Sequence, residues 1–249
     1  MNAVVEQLLR HRSIRRFRPD PVPDEHIREA VLAGQAASTS SAVQAYCAIR
    51  VRDPATLERL VELTGGQRKV AECGAFLVIC GDTRRHRIAA ARDGVVHETR
   101  FEAFLVAAID GALFAQNLCV ALESMGYGIC YIGGIRNHLA EADRLLALPH
   151  GVYPLFGLCA GIADETPLPR PRLPLGSVLF EERYPPDRIV LDHLAAYDAA
   201  HSEYVATRGG AAGGRPAPKP WSTIMATKFS EPERVDVAAY YRAKGAVLE

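Results

Sequence analysis

The stretch His11-Arg12-Ser13-Ile14-Arg15, called here the N-terminal motif, decides how the rest of this chain is interpreted. It follows residues 4–10, whose apolar positions predict a helix with one apolar face. Arginine offers a planar fork of donors that matches phosphate oxygens, and serine and histidine add further donors. Alone, the cluster is equally compatible with a solvated basic patch. Its meaning therefore depends on the motifs that follow.

Three further motifs occur in order along the chain. They are Thr64-Gly65-Gly66-Gln67-Arg68-Lys69, Tyr131-Ile132-Gly133-Gly134-Ile135-Arg136-Asn137 and Pro169-Arg170-Pro171-Arg172-Leu173-Pro174. With all four motifs in order, the chain resembles the nitroreductase family of FMN-dependent NAD(P)H oxidoreductases. It is most similar to the branch of oxygen-insensitive NADPH nitroreductases and NADPH-flavin oxidoreductases. The resemblance covers residues 4 to 241, nearly the whole chain.

The resemblance implies an α+β, nitroreductase-like fold with a central mixed sheet flanked by helices, in a homodimer. Residues 76–80 form a continuous apolar run and predict a buried central strand. Residues 99–125 are apolar almost all round and predict a long helix buried in the core or in a subunit interface. We expect one FMN-binding domain over residues 1–249, with a C-terminal helical extension over residues 188–249.

The remaining elements are predicted from apolar spacing and from turn residues. Residues 47–51, 127–132 and 152–159 predict strands, and residues 22–37, 53–63, 191–207 and 221–229 predict helices. The Pro-rich segment 163–176 predicts irregular structure.

Composition narrows the classes of function. The 249 residues carry no formal net charge, so no global field attracts nucleic acid. No uninterrupted apolar run reaches the roughly 18 residues of a membrane helix, and the N-terminus lacks a signal-peptide pattern. The six cysteines form no CxxC pair and the histidines form no ligand grouping, which predicts reduced thiols and no metal site. We expect a cytoplasmic protein that binds neither nucleic acid nor membrane.

By resemblance, FMN is bound by residues from five segments. The N-terminal motif contributes His11, Arg12, Ser13 and Arg15, and the Pro-rich segment contributes Arg170 and Arg172. Arg15 is expected at the pyrimidine edge of the flavin, where a fixed cation stabilises negative charge on the reduced ring. The other expected flavin-binding residues are Ser38, Thr39, Ser40, Gln67, Tyr131, Ile132, Gly133 and Gly134.

The same resemblance assigns the second cofactor and the substrate pocket. Arg208, and as an alternative Arg215, is expected to recognise the 2′-phosphate of NADPH. Ser41, Ala42 and Gln44 are expected to line the pocket of the electron acceptor. Ala42 stands where close relatives often have an aromatic residue, which leaves the substrate preference open.

No side chain is expected to act as a nucleophile. Gly157-Leu158-Cys159-Ala160-Gly161 has the spacing of a hydrolase elbow, but it leads into a Pro-rich segment and not into a helix. The expected mechanism is ping-pong hydride transfer on FMN, with NADPH as donor and a nitroaromatic, a quinone or a flavin as acceptor. Two alternatives stay open: a flavin reductase dedicated to a partner monooxygenase, and a flavin-binding protein of low turnover that acts in storage or sensing.

Overall fold

The computed structural model describes residues 1–97, 100–208, 219–228, 230 and 233–247. Their contacts divide the chain into two compact units, 1–167 with 234–249, and 168–233. The single-domain organisation remains a prediction.

The first unit contains the sheet and most of the helices. Its strands are β1 (Tyr46–Val51), β2 (Ala75–Asp82), β3 (Gly128–Ile132) and β4 (Val152–Gly161). Its helices are α1 (Ala3–Leu9), α2 (Asp24–Gln35), α3 (Pro54–Leu63), α4 (Lys69–Glu72), α5 (Arg84–Arg92), α6 (Phe101–Ser124) and α7 (Leu139–Leu145). The second unit contributes α8 (Asp187–Arg208) and α9 (Trp221–Lys228), and α10 (Val237–Ala243) belongs again to the first unit.

The described sheet has the strand order β1-β2-β4-β3, so β1 and β3 form its two opposite edges. All three strand pairs are antiparallel. The predicted sheet was mixed. In the described residues, the parallel pairing is a single bridge between Ser13 and Ile129. The fold class is α+β as predicted, and the strand order places the segment before β1 and the segment beside β3 at opposite edges of the sheet.

β2 explains why the sheet is buried on both faces. All eight of its residues are buried, as the apolar run predicted. Leu77 and Ile79 belong to the core on the side of α2 and α6, whereas Phe76 and Val78 belong to the core on the side of α3 and α4. The side chains alternate because successive residues of a strand point to opposite faces.

α6 is the central helix of the first unit. It packs against α2, where a Cβ added to Gly34 would lie 2.7 Å from Phe114, so glycine permits the close approach. By length and composition α6 could cross a membrane. However, it packs on the sheet and contains the buried Asp110, as expected of a core helix.

The burial of α6 is less complete than its sequence predicts. One stripe of large apolar residues is exposed in the single chain, by 39–48%. These residues are Phe101, Leu105, Ile109 and Leu113. On α1, the four apolar residues of the predicted face are likewise 43–69% exposed. The sequence predicted that α6 lies either in the core or in a subunit interface. In one copy, one face of α6 is buried in the core and a second apolar face is exposed.

The second unit has its own contacts. The Tyr197 hydroxyl of α8 donates to the carbonyl of Pro171 at 3.0 Å, and the Tyr197 and Trp221 rings pack edge to face. The Asp198 carboxylate accepts from the backbone N–H and the hydroxyl of Ser222. These contacts join α8, α9 and the irregular segment that carries Arg170.

Candidate active site

The N-terminal motif lies alongside β3. The Ile14 N–H donates to the Ile129 carbonyl at 2.9 Å. The Ile14 side chain is buried, and a Cβ added to Gly128 would lie only 2.5 Å from it. Because side chains alternate along an extended segment, Ser13 and Arg15 point away from the core that receives Ile14. The apolar residue of the motif thus fixes its polar residues at the edge of the sheet.

Two carboxylates that the sequence analysis did not identify hold the motif. Glu165 accepts from the backbone N–H groups of Arg15 and of Arg16, the latter at 3.2 Å. Glu123, near the end of α6, contacts His11 with 2.6 Å between its Oε1 and Nδ1 of the ring. Hydrogen bonds to a charged acceptor are stronger than neutral ones. Glu165 and Glu123 therefore fix both the backbone and the ring orientation of the motif.

Arg12 lines a cavity beside the N-terminal motif. One of its terminal nitrogens donates to the Arg10 carbonyl at 3.3 Å. Its Nε is buried and has no partner among the residues that the structure describes. Next to it, a cavity of about 500 Å³ is lined by His11, Arg12, Glu123 and Glu165. A buried donor without a partner points to a ligand that completes it, and a phosphate oxygen suits an arginine donor.

The far end of β3 brings the second and third motifs together. The Gln67 side-chain amide donates to the Thr64 carbonyl at 2.8 Å. A Cβ added to Gly134 would lie 2.4 Å from Nε2 of Gln67 and 2.5 Å from the Thr64 carbonyl oxygen, so only glycine fits. Arg136 donates to the Leu155 carbonyl at 2.6 Å, and burial lowers the pKa of its guanidinium. The Gly133-Gly134 turn is thus a fixed backbone surface beside Gln67.

The structure limits how two residues of β3, Tyr131 and Ile132, could contact a flavin. Ile132 is fully buried in the core, so its backbone alone is available to a cofactor. The Tyr131 side chain lies against α6, where its hydroxyl donates to Gln116 at 3.3 Å. Strand alternation explains the difference, because adjacent residues of β3 point to opposite faces of the sheet.

The Ser-rich turn, residues 38–44, is held by Asp110 of α6. The Asp110 carboxylate is 1% exposed and accepts from the backbone N–H groups of Ser40 at 3.2 Å and of Ala45 at 3.0 Å. Positive φ angles at Ser41, Ala42 and Gln44 give the turn a tight, left-handed path. The polar side chains of Ser38, Ser40, Ser41 and Gln44 are exposed, while Thr39 is half-buried. Asp110 therefore anchors the backbone of this turn, while most of its polar side chains remain exposed to solvent.

One copy of the chain holds the Ser-rich turn and the N-terminal motif at opposite edges of the sheet. The Ser-rich turn precedes β1, whereas the N-terminal motif pairs with the outer edge of β3, four strand spacings or about 19 Å from β1 across the sheet. Along α6, Asp110 and Glu123 are separated by about 20 Å at the helical rise. Side chains from the two edges therefore cannot reach the same atoms of a ligand within one copy.

The remaining predicted residues lie in the second unit. Arg170 and Arg172 are exposed residues of an irregular segment, as the Pro-rich sequence predicts. Arg208 is the last residue of α8. Arg215 lies outside the described residues.

Comparison with known proteins identifies the family. The model of the nitroreductase family matches residues 8–162, and that of the nitroreductase family C-terminal domain matches residues 170–249. The chain therefore belongs to the nitroreductase family, which confirms the resemblance inferred from its four motifs.

Individual relatives place the chain within this family. It is 42% identical to the oxygen-insensitive NADPH nitroreductase of Salmonella typhimurium, over 84% of this chain and 85% of the relative. It is 39% identical to the FMN reductase (NADPH) of Bacillus subtilis, over 98% of both chains. Among solved structures, NfrA1 of B. megaterium superposes with a TM-score of 0.94 at 41% identity, over 98% of this chain and 99% of that one.

Proposed function

We propose that this protein is an FMN-dependent NADPH oxidoreductase that reduces nitroaromatics, quinones or flavins by two-electron transfer. The observation that carries the proposal is the convergence of three motifs along β3. The N-terminal motif lies beside the start of the strand, and Gln67 meets the Gly133-Gly134 turn at its end. When bound, FMN supplies the two-electron chemistry between donor and acceptor.

The residues along β3 suit the parts of FMN. Arg12, with its unpartnered Nε, suits the phosphate, and Ser13 of the same motif adds a hydroxyl donor. Arg170 and Arg172 remain the phosphate contacts that the resemblance to the family implies. The Gly133-Gly134 turn lets backbone approach a planar ring closely, and the Gln67 amide beside it can reach the edge of the ring. Arg15, the exposed last residue of the motif, is the cation proposed for the pyrimidine edge. The site thus positions and polarises the cofactor.

A homodimer would complete the site. The Ser-rich turn of one copy lies on the sheet edge opposite to its own β3, so a second copy has to supply it to the flavin. The exposed apolar stripe of α6 gives such a dimer a surface to bury, since large exposed apolar patches mark interfaces. Each flavin would then contact both chains, with Ser41, Ala42 and Gln44 of the second copy near the acceptor.

The choice of NADPH as donor rests on the relatives, both of which carry NADPH in their names. Arg208, at the end of α8, remains our candidate for recognising the 2′-phosphate, with Arg215 as the alternative. A cytoplasmic location and a single domain over the whole chain are part of the same proposal.

The name of the Bacillus subtilis relative favours a second candidate, in which free flavin is the main acceptor. NADPH oxidation measured with nitrofurazone, menadione and free FMN separates this candidate from a nitroreductase and from a low-turnover flavin protein. Activity with none of the three acceptors, in protein that holds FMN, would contradict the proposed function.

FMN binding is tested at the Pro-rich segment. A charge-assisted contact contributes roughly 1.5–3 kcal/mol, so Arg172→Ala should weaken FMN binding about ten-fold or more. Arg183→Ala, which removes another exposed arginine of the second unit, is the matched control. Equal FMN affinity of Arg172→Ala and the wild type in a fluorescence titration would remove Arg172 from the site.

A further inference from the structure

A second cavity, of about 570 Å³, lies between the Ser-rich turn and the first turn of α6. Its polar wall includes Ser41, His86 and His97, and its apolar wall includes Val106. Its lining includes Ser40 and Ser41, which the proposed function places at the flavin and the acceptor of the second copy, and none of the residues along β3. This cavity is called here the α6 cavity.

His97 provides the first indication of a ligand. Its Nε2 is buried and has no hydrogen-bond partner among the residues that the structure describes. Buried polar side-chain atoms are nearly always partnered, and an exception calls for a missing partner such as a ligand. His86 differs, because its Nε2 donates to the Val43 carbonyl at 2.8 Å and so holds the turn to α5. His97 is thus the histidine in this cavity with an unfilled hydrogen-bonding atom.

The charges around His97 favour an anion. Burial is the main cause that lowers the pKa of His97, and the nearby His86 and Arg87 lower that pKa further because they are cationic or can become so. Arg100 lines the cavity at the N-terminus of α6, the end where the helix dipole is positive.

One carboxylate of the described lining residues opposes an anion. Glu102 is an exposed residue of the cavity wall. The Asp110 carboxylate accepts from the backbone N–H groups of Ser40 and Ala45, so part of its charge is offset by those donors. Beside the Glu102 carboxylate, the described lining carries three groups that are cationic or can become so: His86, His97 and Arg100.

We propose that the α6 cavity is a subsite for an anionic oxygen group, a carboxylate or a phosphate, with Nε2 of His97 as its donor. The inference rests on the proposed function, because it assigns the group to a molecule that the reductase turns over. Two molecules could carry it: an aromatic acceptor with a carboxylate, or the dinucleotide with its ribose phosphate. The apolar wall at Val106 suits the ring of an aromatic acceptor.

Calorimetric titration of the FMN-loaded protein with benzoate and with its neutral analogue benzamide tests the subsite. The wild type should bind benzoate more tightly than benzamide. His97→Leu removes the donor and should weaken benzoate binding about ten-fold, the size expected for a hydrogen bond to a charged group, while benzamide binding stays unchanged.

His97→Gln keeps an N–H donor and should restore benzoate binding to within about three-fold of the wild type, since one donor is replaced by another. His26→Leu is the matched control, because His26 is half-buried on α2, outside the cavity, and bonds to Tyr127. It should bind benzoate like the wild type.

Kinetics then identify which molecule carries the anion. For His97→Leu, a rise in KM for 4-nitrobenzoate but not for 4-nitrobenzamide assigns the subsite to the acceptor. A rise in KM for NADPH but not for NADH assigns it to the dinucleotide.

The proposal is overturned if the wild type does not prefer benzoate to benzamide. It is also overturned if His97→Leu changes the charged and the neutral ligands equally, or changes neither. Because the titration needs no turnover, a protein that binds benzoate through His97 but oxidises no NADPH would contradict the proposed function alone.

Discussion

Asp110 is the residue whose substitution most sharply tests how the Ser-rich turn is held. Its carboxylate is 1% exposed and accepts from two backbone N–H groups, those of Ser40 and Ala45. In Asp110→Asn, one acceptor oxygen is replaced by an NH₂ group that faces a backbone donor. One of the two N–H groups then loses its partner in a buried place.

The magnitude follows from this single lost contact. A hydrogen bond to a charged group contributes about 1.5–3 kcal/mol. For a chain of this length, each kcal/mol shifts the melting temperature by about 2–4 °C, so Asp110→Asn should lower it by roughly 3–12 °C. Because the turn is proposed to reach the flavin of the second copy, NADPH oxidation should fall as well.

Differential scanning fluorimetry and steady-state assays of the same preparation measure both effects. Asp93→Asn is the matched control, because Asp93 is an exposed aspartate paired with Arg92, and solvent screening leaves such a surface pair with little effect on stability. If Asp110→Asn has the same melting temperature as Asp93→Asn and keeps wild-type kinetics, the Asp110 carboxylate does not hold the turn and the reasoning is refuted.

Three further predictions concern the strand edge, the thiols and the interface. Gly134→Ala should lose most of its FMN, measured as flavin absorbance per chain, because the new Cβ would collide with the Thr64 carbonyl 2.5 Å away; full flavin content would contradict this. Cys159→Ser should oxidise NADPH within a few-fold of the wild type, since burial raises the pKa of this thiol well above its usual range; a loss of several orders of magnitude with flavin bound would revive a catalytic thiol. Ile109→Glu places a charge on a side chain that is 48% exposed in one copy and should give monomers with little FMN in sedimentation; a dimer that persists would place the interface elsewhere.

The sequence predicts the elements whose pattern is local. β2 is a continuous apolar run and is a fully buried strand. α3 begins at Pro54 after Asp53, whose side chain accepts from the Thr56 N–H at 2.8 Å, as a capping residue does. The four ordered motifs predict the family, and the family models that match residues 8–162 and 170–249 confirm it.

The groups that hold the site are not predictable in this way. Asp110, Glu123 and Glu165 contact residues 70, 112 and 150 positions away, respectively. On a helix or in a loop, a carboxylate has the same local pattern whether it is solvated or bonded to a distant backbone. The exposure of the apolar stripe of α6 is also not predictable from the sequence. Apolar periodicity does not distinguish burial in one chain from burial against a second copy.

The central claim is that one copy supplies the β3 edge and the other the Ser-rich turn of each active site. Co-expression of Gly134→Ala and Asp110→Asn chains with different tags allows the mixed dimer to be purified away from both parent dimers. In the mixed dimer, one site combines the intact β3 edge of the Asp110→Asn chain with the intact turn of the Gly134→Ala chain. We predict that this dimer regains half of the wild-type rate of NADPH oxidation, although each parent dimer is defective. A mixed dimer no more active than its parents would contradict the account, because each site would then be built within a single chain.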